Sequence, residues 1–234
     1  MTKILLTNVC KPYYNGDLYT DFFTYRSTIE DGIFALSGMF SCFGLHFLAN
    51  NLDTPTKVVE FPSKDDFINE LKEGYDFVGI SFSTIEMERL KEMCLIVRKH
   101  SPKTKIIIGG PGVQNKYTKL KTIYFNPDRH ADYVCYGEGV NFFRKILGLK
   151  PKNKINYPTN LVGETTLLSL KNFTPPLPSI MKTGYVYTGL GCNHHCIFCV
   201  PSAFFKHHIN LNSAEELYSI IKNIHSVILK SKNY

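Results

Sequence analysis

The chain has 234 residues, 44% of them hydrophobic, and carries 27 Lys and Arg against 20 Asp and Glu for a formal charge of +7. That length allows one full core and part of a second, and the basic residues are scattered rather than gathered in a block, so no clear nucleic-acid site is read from them. The first seven residues are too short and polar for a signal peptide, and the most apolar stretch, 33–52, is interrupted by Ser37, Ser41, His46 and Asn50, so no export signal and no membrane span are read and a cytoplasmic location is expected.

Residues 3–9 form an apolar run short enough for a buried strand. A long aromatic-rich segment follows at 10–30, with Tyr13, Tyr14, Tyr19, Phe22, Phe23 and Tyr25. Ile33, Leu36, Phe40, Phe43 and Phe47 then fall at steps of three and four, which predicts a helix ending near Asn50 and Asn51. A second strand is expected at 56–61, and Ser63 precedes a helical pattern through Phe67, Ile68 and Leu71 to Gly74. A third strand is expected at 76–82, with Leu90, Met93 and Val97 lining the following helix. The fourth, at 105–108, runs into Gly109-Gly110-Pro111-Gly112, which ends it. A weak helical signal spans 114–121. A fifth strand at 132–136 stops at Gly137-Glu138-Gly139, and 140–147 reads as a closing helix.

Five strands alternating with helices predict a doubly wound, flavodoxin-like α/β domain over residues 1–148, because parallel strands need crossover connections that are usually helical. Ligands of such sheets bind outside the carboxyl ends of the strands, here the loops 10–14, 81–84, 109–112 and 137–139. Residues 149–182, with Pro151, Pro158, Pro175, Pro176 and Pro178, read as a linker carrying a short strand at 161–170. A second region, 183–234, holds a strand at 185–188, a cysteine loop, and a helix whose start is a capping box of Ser213 and Glu216. Leu217, Ile220, Ile221, Ile224 and Ile228 supply its apolar face.

The cysteine loop is Thr188-Gly189-Leu190-Gly191-Cys192-Asn193-His194-His195-Cys196-Ile197-Phe198-Cys199-Val200. Seven cysteines in 234 residues would give this one three-cysteine spacing by chance with a probability of roughly 0.006 on independent draws. An odd number of cysteines without an export signal points to reduced thiols. A thiolate-ligated iron–sulfur centre, a zinc site completed by His194 or His195, and three unligated buried cysteines are the readings these residues leave open.

Cys192-x-x-x-Cys196-x-x-Cys199, with Phe198 before the last cysteine and a strand before the first, resembles the signature of radical S-adenosylmethionine enzymes. The resemblance implies that the three cysteines bind a 4Fe-4S cluster whose fourth iron is chelated by S-adenosylmethionine, and that Phe198 lies near the adenine. The cluster of that family cleaves the sulfonium reductively to a 5′-deoxyadenosyl radical. Residues 76–83, Ile107 to Pro111 and 131–139 are similar to the cobalamin-binding domain found ahead of many of these barrels. Carried over, Ser81, Ser83, Thr84, Gly109, Gly110, Pro111, Gly137, Glu138 and Gly139 would surround the corrin and its nucleotide tail.

Two departures bear on what the resemblance implies. The Asp-x-His-x-x-Gly signature of classical cobalamin domains is missing after the first strand, where the chain reads Asn8-Val9-Cys10-Lys11-Pro12-Tyr13; Asp128-Arg129-His130 precedes a strand instead. Either cobalamin is held without a histidine ligand or the domain has lost it. Only the first of about six strand–helix units of a radical barrel is read in 183–234. The chain is therefore expected to be the N-terminal fragment of a cobalamin-dependent radical S-adenosylmethionine enzyme, a methyltransferase or a ring- or bond-forming catalyst, with a partner chain supplying the rest of the barrel. The alternatives are a non-catalytic cobalamin- or nucleotide-binding module and a zinc-stabilised interaction protein.

Overall fold

The computed structural model describes residues 2–10, 42–83, 86–114, 130–154, 186, 188–194, 196, 199, 207–210 and 212–230, and the backbone of the strands at 34–38, 162–170 and 181–184. In chain order the elements are β1 Ile4–Asn8, β2 Phe34–Gly38, α1 Phe43–Ala49, β3 Thr56–Val59, α2 Lys64–Leu71, β4 Phe77–Ser81, α3 Met87–His100, β5 Lys105–Gly109, a 3-10 turn at Pro111–Gln114, β6 Tyr133–Val134, α4 Gly139–Ile146, β7 Val162–Leu170, β8 Met181–Gly184, β9 Gly189–Leu190, β10 Ile209–Asn210 and α5 Ala214–Lys230. They fall into two compact units: residues 1–11, 42–157 and 189–211 make the first, and 12–41, 158–188 and 212–234 the second.

The first unit is an α/β domain around a five-stranded parallel sheet in the order β3-β1-β4-β5-β6. Counting only the strands of this sheet, that is 2-1-3-4-5, the flavodoxin-like order of a doubly wound fold. Every residue of β1 is buried, as a central parallel strand covered on both faces requires. On one face Ile4, Leu6 and Ile107 pack with Leu45, Leu52 and Phe143. Gly79 sits in register with Leu6 and Ile107. A Cβ there would stand 2.6 Å from Leu6 Cδ2 and 3.0 Å from Phe143 Cζ, so the glycine makes room for the Phe143 ring. Leu5, Val78 and Ile106 point the other way and are also buried, and α2 and α3, which pack on one another, bury Phe67, Leu71, Leu90, Met93 and Val97.

α2 begins after Ser63, as the sequence predicts, and the Ser63 Oγ caps it by accepting from the Asp66 N–H at 3.0 Å. Arg144, only 7% exposed, donates to Asn51 O (2.6 Å), Lys150 O (2.6 Å) and Asp53 Oδ2 (2.6 Å). It ties α4 to the loop after α1 and leaves no buried guanidinium charge unanswered.

Just before β6, Asp132 accepts from Arg98 (2.8 Å), Lys105 (3.0 Å) and the Ile106 N–H (2.8 Å). Burial alone would raise its carboxyl, but these donors outweigh it and hold the group below its ordinary value of 3.8. A depressed folded-state value stabilises the fold above the unfolded pKa and is lost as pH falls through the folded one. Asp132→Asn, which keeps an acceptor for Ile106, is therefore expected to lower stability by about 1 kcal/mol at pH 7, Arg98 and Lys105 being partly solvent-screened. In urea unfolding, that difference should shrink towards pH 3; a pH-independent difference would assign the loss to packing.

The single helix expected from Ile33 to Asn50 is not formed. Phe34–Gly38 is a strand, antiparallel to β7, and only Phe43–Ala49 is helical. The apolar steps of three and four are real, but Gly38 and the serines at 37 and 41 are poor helix formers, and the partner strand carries Thr165 and Thr166 opposite Gly38 and Ser37. The 149–182 stretch, expected as a linker with a short strand, carries β7 and the first half of β8. In the second unit β2, β7 and β8 form an antiparallel sheet in that order, against which α5 packs.

The capping box of α5 is made: Ser213 N–H donates to Glu216 Oε2 at 2.8 Å and Glu216 N–H to Ser213 Oγ at 3.3 Å. Ile220 and Ile224 are buried and Leu217 half-buried, whereas Ile221 is exposed. The Ile228 side chain, the weak helical signal at 115–121 and the aromatic segment at 11–30 lie outside the described residues. Among those described, no helix is long and apolar enough to cross a membrane.

Candidate functional site

Two groups of residues carry chemistry: the loops at the carboxyl ends of the parallel strands, and the cysteine loop. The strand order reverses at β1, so the crevice of a doubly wound sheet opens after β1 and β4, where Asn8 and Ser81 are register partners. Asn8 is buried, and its Oδ1 accepts from the Phe61 N–H at 2.5 Å. Phe61 itself has φ +47, a conformation that costs a bulky residue about 1–2 kcal/mol.

Of the residues predicted to surround a corrin, Ser81 and Gly110 meet at this end of the sheet, and several of the set already have partners within the fold. Phe82 N–H donates to Gly109 O (3.1 Å) and Gly112 N–H to Phe82 O (2.9 Å), so the glycine turn is laced to the end of β4. Gly110 has φ +93, and a Cβ on it would lie 2.6 Å from Ser81 Oγ and 2.9 Å from Phe82 O. Pro111 is exposed. Ser83 donates through both N–H (2.6 Å) and Oγ (2.8 Å) to Glu86 Oε2. Glu138 caps α4, accepting from the N–H groups of Val140 and Asn141. Gly137 has φ +109, and Gly139 faces Leu48. Thr84 lies outside the described residues.

Sequence reasoning passed over Glu60, one residue beyond β3. Its carboxylate accepts from the Cys42 N–H and stands 3.2 Å from His46 Nε2. An acidic residue at the carboxyl end of a strand was the available signal; its two partners come from a different element and had none.

The seven cysteines, none of them in a disulfide, differ in their surroundings. Burial pushes the thiols of Cys10, Cys94 and Cys135 up to about 12. Burial, reinforced by the Glu60 charge, pushes Cys42 up to about 11. Such thiols stay protonated and unreactive at neutral pH. By contrast Cys196 is exposed, and Cys192 and Cys199 are half-buried.

The loop bearing those three is closed at its neck by β9 and β10, paired antiparallel with Leu190 opposite Ile209 and Gly189 opposite Asn210. The strand expected at 185–188 is not seen in its described part: Val186 and Thr188 lie outside any strand, and pairing begins at Gly189. Inside the loop, His194 N–H points at Cys192 Sγ (3.5 Å) and Cys199 N–H donates to Cys196 O (3.0 Å). Across its neck, His208 N–H donates to Asn193 Oδ1 at 2.9 Å. His195 and Phe198 lie outside the described residues.

Three accessible thiols on one short loop are a donor set suited to a soft metal or an iron–sulfur centre. The described geometry does not draw them together, since no three His, Cys, Asp or Glu side chains among the described residues are grouped to hold a metal. No protein-family model matches the chain, and a search of curated proteins finds no significant match.

Proposed function

We propose that this chain holds a 4Fe-4S cluster through Cys192, Cys196 and Cys199 and offers the carboxyl end of its parallel sheet to cobalamin, as the cofactor-holding part of a cobalamin-dependent radical S-adenosylmethionine enzyme. The observation that carries the proposal is the division of the cysteines. Within the Cys-x-x-x-Cys-x-x-Cys set Cys196 is exposed and Cys192 and Cys199 are half-buried, while of the four outside it Cys10, Cys94 and Cys135 are buried and Cys42 is half-buried, all four with thiols held protonated.

The cluster, when bound, supplies the electron for reductive cleavage of S-adenosylmethionine. This chain's part is to present the thiolates and exclude competing ones. For the corrin, support comes from the topology: the open end of a doubly wound sheet is where such folds take large ligands, and Ser81, Gly109 and Gly110 meet there. Asn8, not a histidine, occupies the end of β1, so the corrin would be held without a cobalt ligand from that position.

Anaerobic reconstitution with iron and sulfide tests the cluster: a brown protein with equal iron and sulfide supports it, and a colourless one retaining a single zinc sinks it in favour of a zinc-stabilised interaction protein. Titration with hydroxocobalamin is expected to give a saturable spectral shift. Its absence would reduce the parallel sheet to a scaffold.

A further inference from the structure

We propose that the turn between β3 and α2, built on Glu60 and Phe61, is a strained strap at the carboxyl end of the parallel sheet, latched closed by Asn8 and able to spring open without disturbing the sheet. Phe61 has φ +47, in the left-handed region that bulky residues avoid. Pro62 follows it in the chain, and a proline drives the residue before it towards extended backbone. Asp53, the other described non-glycine residue with positive φ (+51), is of a type that region tolerates. Phe61 is not, so its conformation has to be held from outside the turn.

Two elements hold it. Asn8, buried at the end of β1, accepts the Phe61 N–H on Oδ1 at 2.5 Å. One residue earlier the Glu60 carboxylate accepts the Cys42 N–H and stands 3.2 Å from His46 Nε2, which fastens the strap to the start of α1. Ser81, the register partner of Asn8, hydrogen-bonds the Cys42 thiol. The two fastenings thus converge where the strand order reverses, the place at which doubly wound sheets take ligands. Once the Asn8 bond is given up, Phe61 returns to negative φ and draws Glu60 away from Cys42. The strain favours that release and the latch opposes it. In the released position Asn8 Oδ1 and the Glu60 carboxylate, both acceptors, turn to the N–H or O–H groups of a ligand.

Amide hydrogen exchange on the full chain tests the strap in wild type, Asn8→Ala, Phe61→Gly and the double variant. Asn8→Ala removes the latch; Phe61→Gly removes the strain, since glycine takes a positive φ without steric cost. The reporter is the Cys42 N–H, whose own acceptor, Glu60, is untouched in every variant. Its exchange is expected to be about tenfold faster in Asn8→Ala, the fold-change for one net hydrogen bond. In Phe61→Gly it should be about tenfold slower than in wild type. In the double variant the two effects should cancel to within about threefold of wild type. The amides of β4 should stay within about twofold in all four chains, because the opening is local. Were the turn held only by packing, Phe61→Gly would exchange faster than wild type and the double variant fastest of all, which overturns the strap. An unchanged Cys42 rate in Asn8→Ala overturns it too, as does an equal acceleration of the β4 amides, which would assign the effect to loosening of the whole sheet. Should Asn8→Ala fail to fold, Phe61→Gly decides alone: a Cys42 rate at or above that of wild type overturns the strap.

Discussion

At pH 8 the native chain should give up three thiols to a maleimide, at Cys192, Cys196 and Cys199, and the other four only after denaturation. A thiol pushed up to about 12, as at Cys10, Cys94 and Cys135, holds roughly 10⁻⁴ of its population as thiolate at that pH, about a thousandfold below an ordinary exposed cysteine. Burial adds a barrier, because the reagent must wait for the sheet to open. Mass mapping of the labelled peptides reads the result directly. The same division predicts a double dissociation on mutation. Cys192→Ala, Cys196→Ala and Cys199→Ala should each abolish iron and sulfide uptake while leaving the unfolding midpoint of the unloaded chain unchanged, since none of the three is buried. Cys94→Ala, at a fully buried site, should cost about 1 kcal/mol through the lost sulfur contacts and leave cluster uptake intact. Uptake lost equally in Cys94→Ala and Cys196→Ala would mean that the ligands had been assigned to the wrong cysteines.

The parallel sheet was legible because its information is local. Each strand is a short apolar run, and each helix between strands shows its own spacing, as Leu90, Met93 and Val97 do, or its own cap, as Ser63 does. The antiparallel sheet was not, because Phe34 finds its partner at Leu170, and no local pattern announces a pairing made across most of the chain. There the helical period of Ile33 to Phe47 was a true regularity pointing to the wrong structure, and strand pairing prevailed over it. The cysteine loop shows the same limit on a smaller scale. Its spacing named three candidate ligands, but not the hydrogen bond from the His208 N–H to Asn193 Oδ1, made between residues fifteen apart across the neck that β9 and β10 form. Glu138, which the resemblance placed beside the corrin, also caps α4 in the fold.

The glycine turn after β5 is where fold and ligand compete as explanations, and three alanine variants separate them. Gly74 has φ +74 with nothing within 4 Å of a built Cβ, so Gly74→Ala isolates the cost of a left-handed alanine, about 1 kcal/mol. Gly112 carries no such φ, but its Cβ would press on the Phe82 ring, and Gly112→Ala isolates crowding. Gly110 combines both: φ +93, with Phe82 O and N at 2.9 and 3.0 Å from the Cβ position. Those are backbone atoms held by bonds to Gly109 and Gly112, so they cannot swing away as a side chain would. Gly110→Ala is therefore expected to cost about 2–4 kcal/mol and to lower the thermal midpoint by about 5–15 °C. Thermal unfolding of the three variants decides the matter. A Gly110→Ala midpoint no lower than that of Gly74→Ala would show that the turn has slack, and the glycine would then need the ligand to explain it. A large drop, with hydroxocobalamin binding retained at temperatures where the variant is still folded, would assign Gly110 to the closure of the sheet's carboxyl end and leave corrin contact to Ser81 and to Gly109, whose Cβ position, among the described residues, meets only Cys135 at 3.4 Å or more.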